Sequence, residues 1–80
     1  MIILDRFHIR NRGDVLTMRL TGREPIPGDT IRKLGTSDAY RVLGVERNRR
    51  MGPLHEGEPL GLMVERGCPY GVGDDVEVVT

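Results

Sequence analysis

Chemistry needs charged or nucleophilic groups gathered at a workable spacing. In this 80-residue chain the densest such group is Glu46-Arg47-Asn48-Arg49-Arg50. Arginine presents a planar fork of donors that fits phosphate or carboxylate oxygens and can stack on bases. A run of arginines at a strand end, where loops commonly carry binding residues, reads as a contact surface for phosphates or for a partner's carboxylates. The plain alternative is a solvated loop that keeps the domain soluble. Covalent and hydrolytic chemistry has less to work with. His8 and His55 are the only histidines, Cys68 the only cysteine and Ser37 the only serine. No spacing among them makes a nucleophile and its base. Two histidines and one thiol without a recognisable spacing do not make a metal site either.

A phosphate-binding loop, Gly-x-x-x-x-Gly-Lys-[Ser/Thr], needs its lysine on the terminal phosphates. The motif is absent and the only lysine is Lys33, so GTP is not expected as a ligand. With no acid–base pair, cofactor loop or metal signature, the expectation is a binding protein without catalytic residues or cofactor. Arg12-Gly13-Asp14 spells a cell-adhesion tripeptide, but the aspartate is read as a cap on the turn into the second strand.

Twelve basic residues balance twelve acidic ones, and a net charge of zero gives no global attraction to nucleic acid. The basic set is almost all arginine, which a coding bias explains as readily as phosphate recognition does. One cysteine precludes an internal disulfide and suggests a reducing compartment. No apolar run approaches the ~20 residues needed to span a membrane. The start, Met1-Ile2-Ile3-Leu4-Asp5-Arg6, has no basic region ahead of its apolar run, unlike a secretory signal. A cytoplasmic protein with no membrane partner is expected.

These groups must be positioned by one small domain, residues 1–80. Eleven glycines and five prolines break the chain every eight to twelve residues, a spacing typical of an all-β barrel or sandwich, and no window keeps a helical apolar period over three turns. Six strands are predicted, at 2–9, 15–20, 30–34, 39–46, 60–65 and 75–79. Strict alternation puts Ile3, Asp5, Phe7 and Ile9 on one face of the first strand. It puts Leu16, Met18 and Leu20 on one face of the second. On the fourth it places Tyr40 and Val42, with Gly44, opposite Arg41, Leu43 and Val45. The glycine within that strand predicts a bend or bulge. The stretch 21–29, with two prolines, predicts a loop with Ile26 tucked in as a plug. Pro27-Gly28-Asp29-Thr30-Ile31 and Val72-Gly73-Asp74-Asp75-Val76 echo each other, which predicts duplicated turns and a pseudo-symmetric barrel.

The ordered succession Arg12 to Leu20, Pro27 to Ile31, Gly44-Val45-Glu46-Arg47 and Glu56-Gly57-Glu58-Pro59-Leu60-Gly61-Leu62 resembles the second, β-barrel domain of translational GTPases such as elongation factor Tu. The resemblance runs from about Phe7 to Val79 and implies an all-β fold, a small six-stranded closed Greek-key barrel. In elongation factor Tu the corresponding glutamate and the nearby apolar strand help to form a pocket for the terminal adenosine of aminoacyl-tRNA. By resemblance, Glu46, Arg49, Leu60 and Met63 would lie around the equivalent pocket. Three features depart from the family. Met18 stands where a small residue is usual, Pro59 replaces an amide residue, and the loop before Leu60 is about three residues shorter, as loops tolerate.

Two readings of function follow. One is a non-enzymatic module contacting RNA (a tRNA acceptor end or the ribosome) or a translation-associated protein through Glu46, Arg47, Arg49 and Arg50. The other is a protein-interaction or self-assembling module, such as a homodimer, that uses Ile2, Leu4 and the Val76–Val78 edge.

Overall fold

Alternating apolar residues make the strands, and positive-φ glycines end them. The computed structural model describes residues 1–47 and 52–79. Its strands are β1 (Ile3–Ile9), β2 (Gly13–Arg19), β3 (Thr30–Lys33), β4 (Ala39–Arg47), β5 (Pro59–Val64) and β6 (Val76–Val79). All six lie where the sequence placed them, with ends shifted by at most two residues. They form one antiparallel sheet in the order β1-β2-β5-β4-β3-β6. β4 serves two neighbours: Ala39 to Arg41 pair with β3, and Val42 to Arg47 pair with β5. The outer strands β1 and β6 are joined only by a short stretch around the bridge between Ile2 and Asp75, where the Ile3 amide donates to the Asp74 carbonyl and the Val76 amide to the Met1 carbonyl; among the described residues no longer ladder links them.

One cluster fills the interior, and every strand contributes to it: Ile3, Leu16, Met18, Ile31, Val42, Leu60, Leu62, Val64 and Val76 are all buried. Leu20, Cys68 and Tyr70 from the connections complete it. Full burial of such a side chain stabilises by about 1.5–3 kcal/mol before the entropy of ordering it is counted. Tyr70 also packs edge-on against Tyr40, with ring centroids 5.2 Å apart, and its hydroxyl donates to the Asp38 carbonyl.

Leu16, Met18 and Leu20 share the core as alternation requires. Two other faces differ from strict alternation, for one reason. The register slips between Ile3 and Asp5 on β1 and between Val42 and Gly44 on β4. Each slip inserts one extra residue, Leu4 and Leu43, which reverses the inward and outward sets beyond it. Ile3 therefore faces inward while Asp5, Phe7 and Ile9 belong to the other face. On β4, Val45 joins Tyr40 and Val42 on the core side, and Gly44 and Glu46 face out. The loop plug is also different: Ile26 is 57% exposed, and Pro25 is the buried residue instead.

The echo between the two Gly-Asp segments is structural. Gly28 and Gly73 both take a left-handed φ, 97° and 91°, which a residue with a Cβ rarely adopts. The Asp29 carboxylate accepts the Ile26 amide, and that of Asp74 accepts the Gly71 amide, both at 2.9 Å. Each Gly-Asp pair then exchanges backbone bonds with one strand residue: the Val42 and Ile3 amides donate to the Asp29 and Asp74 carbonyls, at 2.8 and 2.9 Å, and the Gly28 and Gly73 amides donate back to the Val42 and Ile3 carbonyls, both at 2.9 Å. Both contacted residues immediately precede a bulge. The halves β1-β2 with β6 and β4-β5 with β3 are thus related by a pseudo-two-fold. It passes between Leu16 and Leu62, which pair directly across β2 and β5.

These turns make stability pH-dependent. The Ile26 amide, aided by Arg23, holds the Asp29 carboxyl below its ordinary 3.8. The Gly71 amide, aided by Lys33, does the same for Asp74. A lowered native pKa means the stabilisation is present above the ordinary value and is lost as pH falls through the native one. The urea midpoint is expected to drop on acidification between about pH 5 and pH 2. In the double variant Asp29→Asn/Asp74→Asn it starts lower at neutral pH and falls less. An equal acid drop in the variant would show that other carboxylates carry it.

Candidate binding hollow on the outer face

The solvent-facing side of β1, β2, β5 and β4 contains a depression at its centre. Thr17, Gly61 and Glu46 lie side by side across β2, β5 and β4, and in the next row Phe7, Val15, Met63 and Gly44 span all four strands. Gly61 has no side chain where its neighbours do, and the space above it forms a hollow of about 300 Å³. Phe7, Val15, Thr17, Glu46, Arg47, Pro59, Leu60 and Gly61 line it. The pseudo-two-fold relates Val15 to Gly61 and Phe7 to Glu46, so the hollow exists because one member of each pair departs from its counterpart. A Cβ added at Gly61 would stand 3.2 Å from Val15 Cγ1 and 3.7 Å from Glu46 Cβ.

Of the residues singled out in the sequence, the structure brings Glu46, Arg47 and Leu60 together at this hollow. Leu60 is buried and packs into the core, so it contributes to the floor. Met63 occupies the adjoining position on the outer face, opposite Val15, and is not part of the lining. Arg49 and Arg50, with Asn48, lie outside the described residues. Arg47 is not free to meet a ligand directly: its Nη1 donates to Glu24 Oε1 at 2.6 Å. Glu24 in turn accepts the Leu54 amide, and Arg19 donates to the Gly57 carbonyl. These contacts pin the loops after β2 and before β5 beside the hollow. The exposed Glu46 carboxylate is the polar group at its rim.

The sequence reading missed Phe7, Val15, Thr17 and Gly61. Phe7 is 44% exposed, because the slip at Leu4 turns it outward. The available signal was the glycine within the apolar run Leu60 to Val64, since a strand glycine often marks a close approach or a vacancy.

A second polar group lies at the other end of β2. Arg6 donates to Asp14 Oδ2 and to the Tyr70 carbonyl, and His8 Nδ1 is 2.9 Å from Asp14 Oδ1. Asp14 therefore ties β1 to β2 through side chains instead of capping the turn. The His8 contact, with the Arg6 guanidinium, lowers its pKa. Cys68 is buried, and burial pushes its thiol up, so at neutral pH it keeps its proton and is a poor nucleophile. Among the described residues no group of three or more His, Cys, Asp or Glu side chains is placed to hold a metal ion. No described helix is long and apolar enough to cross a membrane.

Comparison with family models, with curated proteins and with solved structures yields no match.

Proposed function

We propose that this protein is a non-enzymatic binding module whose outer-face hollow takes a single nucleotide end or a side chain of similar size. The observation that carries the reading is the vacancy above Gly61, bounded by the Phe7 ring, an exposed carboxylate at Glu46 and the rigid Pro59. At about 300 Å³ it sits at the small end of ligand pockets, which suits one base and not a length of helix. An aromatic face beside a carboxylate acceptor offers stacking and a hydrogen-bond acceptor for an exocyclic amine. The resemblance to the second domain of translational GTPases points to the same strands. It favours the 3′ end of an acceptor stem, with Glu46 and Leu60 at the base and Arg47, Arg49 and Arg50 toward the phosphates. On this reading the six strands form a closed Greek-key barrel of the translation-protein type, β1 and β6 being its seam, in a cytoplasmic protein.

An amide-shift titration with a short acceptor-stem RNA ending in CCA, and with the same stem lacking CCA, tests it. Shifts on Glu46, Arg47, Leu60 and Met63 are expected only with the CCA end, and they should weaken as salt rises. Identical responses to both RNAs would overturn the reading.

A second reading, a self-associating or protein-binding module, draws on exposed Ile2 (47%) and Leu4 (51%) at the β1 edge. Of the β6 edge only Val78 and Val79 could join it, because Val76 is fully buried. Salt-insensitive association would favour this reading over the first.

A further inference from the structure

The described arginines divide into two sets. Arg6, Arg23, Arg32 and Arg47 each pair with a carboxylate, on Asp14, Asp29, Glu77 and Glu24, and Arg19 donates to the Gly57 carbonyl. Arg10, Arg12, Arg41 and Arg66 are exposed, and among the described residues no carboxylate pairs with their guanidinium groups. The first set ties loops and strands together. The second does nothing for the fold.

The fold gathers this second set at one end of the sheet. The β1-β2 turn carries Arg10 and Arg12, and the Arg12 amide closes it on the Ile9 carbonyl at 3.0 Å. Asp14 pairs with Val64, so this turn adjoins the residues after β5, where Arg66 lies. On the other side of β5, Val42 pairs with Val64, and the Glu65 amide donates to the Arg41 carbonyl at 3.0 Å. Arg41 therefore stands at the same end. Acidic side chains there are mostly engaged: Asp14 by Arg6 and His8, and Glu65 by the Arg41 amide at 2.9 Å. Asp38 is the exposed exception. A chain of zero net charge thus presents a local excess of positive charge.

The surface also has an apolar element. The β4 bulge leaves Leu43 49% exposed, two residues from Arg41 and beside Met63. Arginines around an aliphatic anchor match the makeup of protein–protein contacts, where arginine is enriched and supplies much of the binding energy. Nucleic acid fits less well. Single-strand binding uses exposed rings for stacking, and the tyrosines here, Tyr40 and Tyr70, pack edge-on against each other.

We propose that this end of the sheet is a docking surface for an acidic segment of a partner protein. Its carboxylates meet the forks of Arg10, Arg12, Arg41 and Arg66, and an aliphatic side chain between them covers Leu43. Recognition of acidic motifs by arginine clusters is a recurring mode, and charge-assisted, bidentate pairs give it both strength and geometry. The surface shares no residue with the hollow over Gly61, so its success or failure is independent of the function proposed there.

The test is an amide-shift titration with the capped pentapeptide Asp-Glu-Leu-Asp-Glu and with its neutral twin Asn-Gln-Leu-Asn-Gln. The acidic peptide is expected to shift the amides of Ile9 to Gly13, Arg41 to Leu43 and Arg66 to Gly67 saturably, and to weaken as salt rises. The neutral twin should bind at least about tenfold more weakly. Arg12→Glu/Arg66→Glu is expected to abolish the shifts at Leu43 and Gly67 while the remaining spectrum stays folded, because neither guanidinium has a partner to lose. Leu43→Ser should weaken binding several-fold and leave the salt dependence unchanged. Equal binding of both peptides, or no shifts with millimolar acidic peptide, would overturn the proposal. Tighter binding of an RNA stem lacking CCA at the same amides would assign the arginines to phosphates, and shifts that grow with protein concentration alone would assign them to a second copy; each overturns it equally.

Discussion

Leu62→Ala is expected to lower the unfolding free energy by roughly 2–5 kcal/mol, the range for emptying a buried leucine site. Leu62 has no exposed surface and pairs with Leu16 where the two halves meet, so the cavity would open at the centre of the core cluster. A chain of this length has a total stability of about 4–12 kcal/mol, so the loss is a large fraction of the whole. β2 and β5 are interior strands, each flanked on both sides, and they have little freedom to close over the gap. Urea unfolding followed by far-UV circular dichroism measures the change. Leu62→Met, which nearly conserves volume, should cost under about 1.5 kcal/mol. An alanine loss no larger than the methionine one would mean that the centre of this core is not tightly packed.

Gly61→Val is expected to have the largest effect on binding. The added Cβ stands 3.2 Å from Val15 Cγ1, closer than ordinary contact, and the two further methyls occupy the hollow. Overpacking of this kind costs about 1–3 kcal/mol. It should also weaken binding of the CCA-ended RNA by more than tenfold while leaving the response to the truncated stem unchanged. The pseudo-symmetric exchange Val15→Gly/Gly61→Val separates the two effects. It relieves the clash and should recover part of the stability, as contacting positions do in a double-mutant cycle. Because the vacancy moves to β2, away from Glu46, binding should not return. A Gly61→Val protein that is folded and binds the RNA as before would remove the hollow from the function.

Much of the fold was legible because its signals are local. Six apolar runs separated by Gly, Pro and Asp turns require strands of those lengths, whatever the tertiary arrangement. The duplicated Gly-Asp turns were visible for the same reason. Gly28 and Gly73 need a left-handed φ, and Asp29 and Asp74 satisfy amides three residues back. Such bonds depend only on near neighbours in sequence. The site was legible only in part. Glu46, Arg47 and Leu60 line the hollow, but Arg47 is engaged by Glu24, a partner 23 residues away that no spacing rule reveals.

The sequence by itself determined the class of structure, the strand positions, the turn chemistry and the inventory of reactive groups. Each follows from local conformational preference and side-chain type. Tertiary structure alone decided which faces look inward. Leu4 and Leu43 became bulges because Ile3 and Val42 are held by distant Gly-Asp turns while the strands beyond them keep register with β2 and β5. Those two slips turned Phe7 and Glu46 outward and placed them around Gly61. A one-residue change of register, set by contacts far along the chain, decides where a binding surface lies because side chains alternate with a period of two.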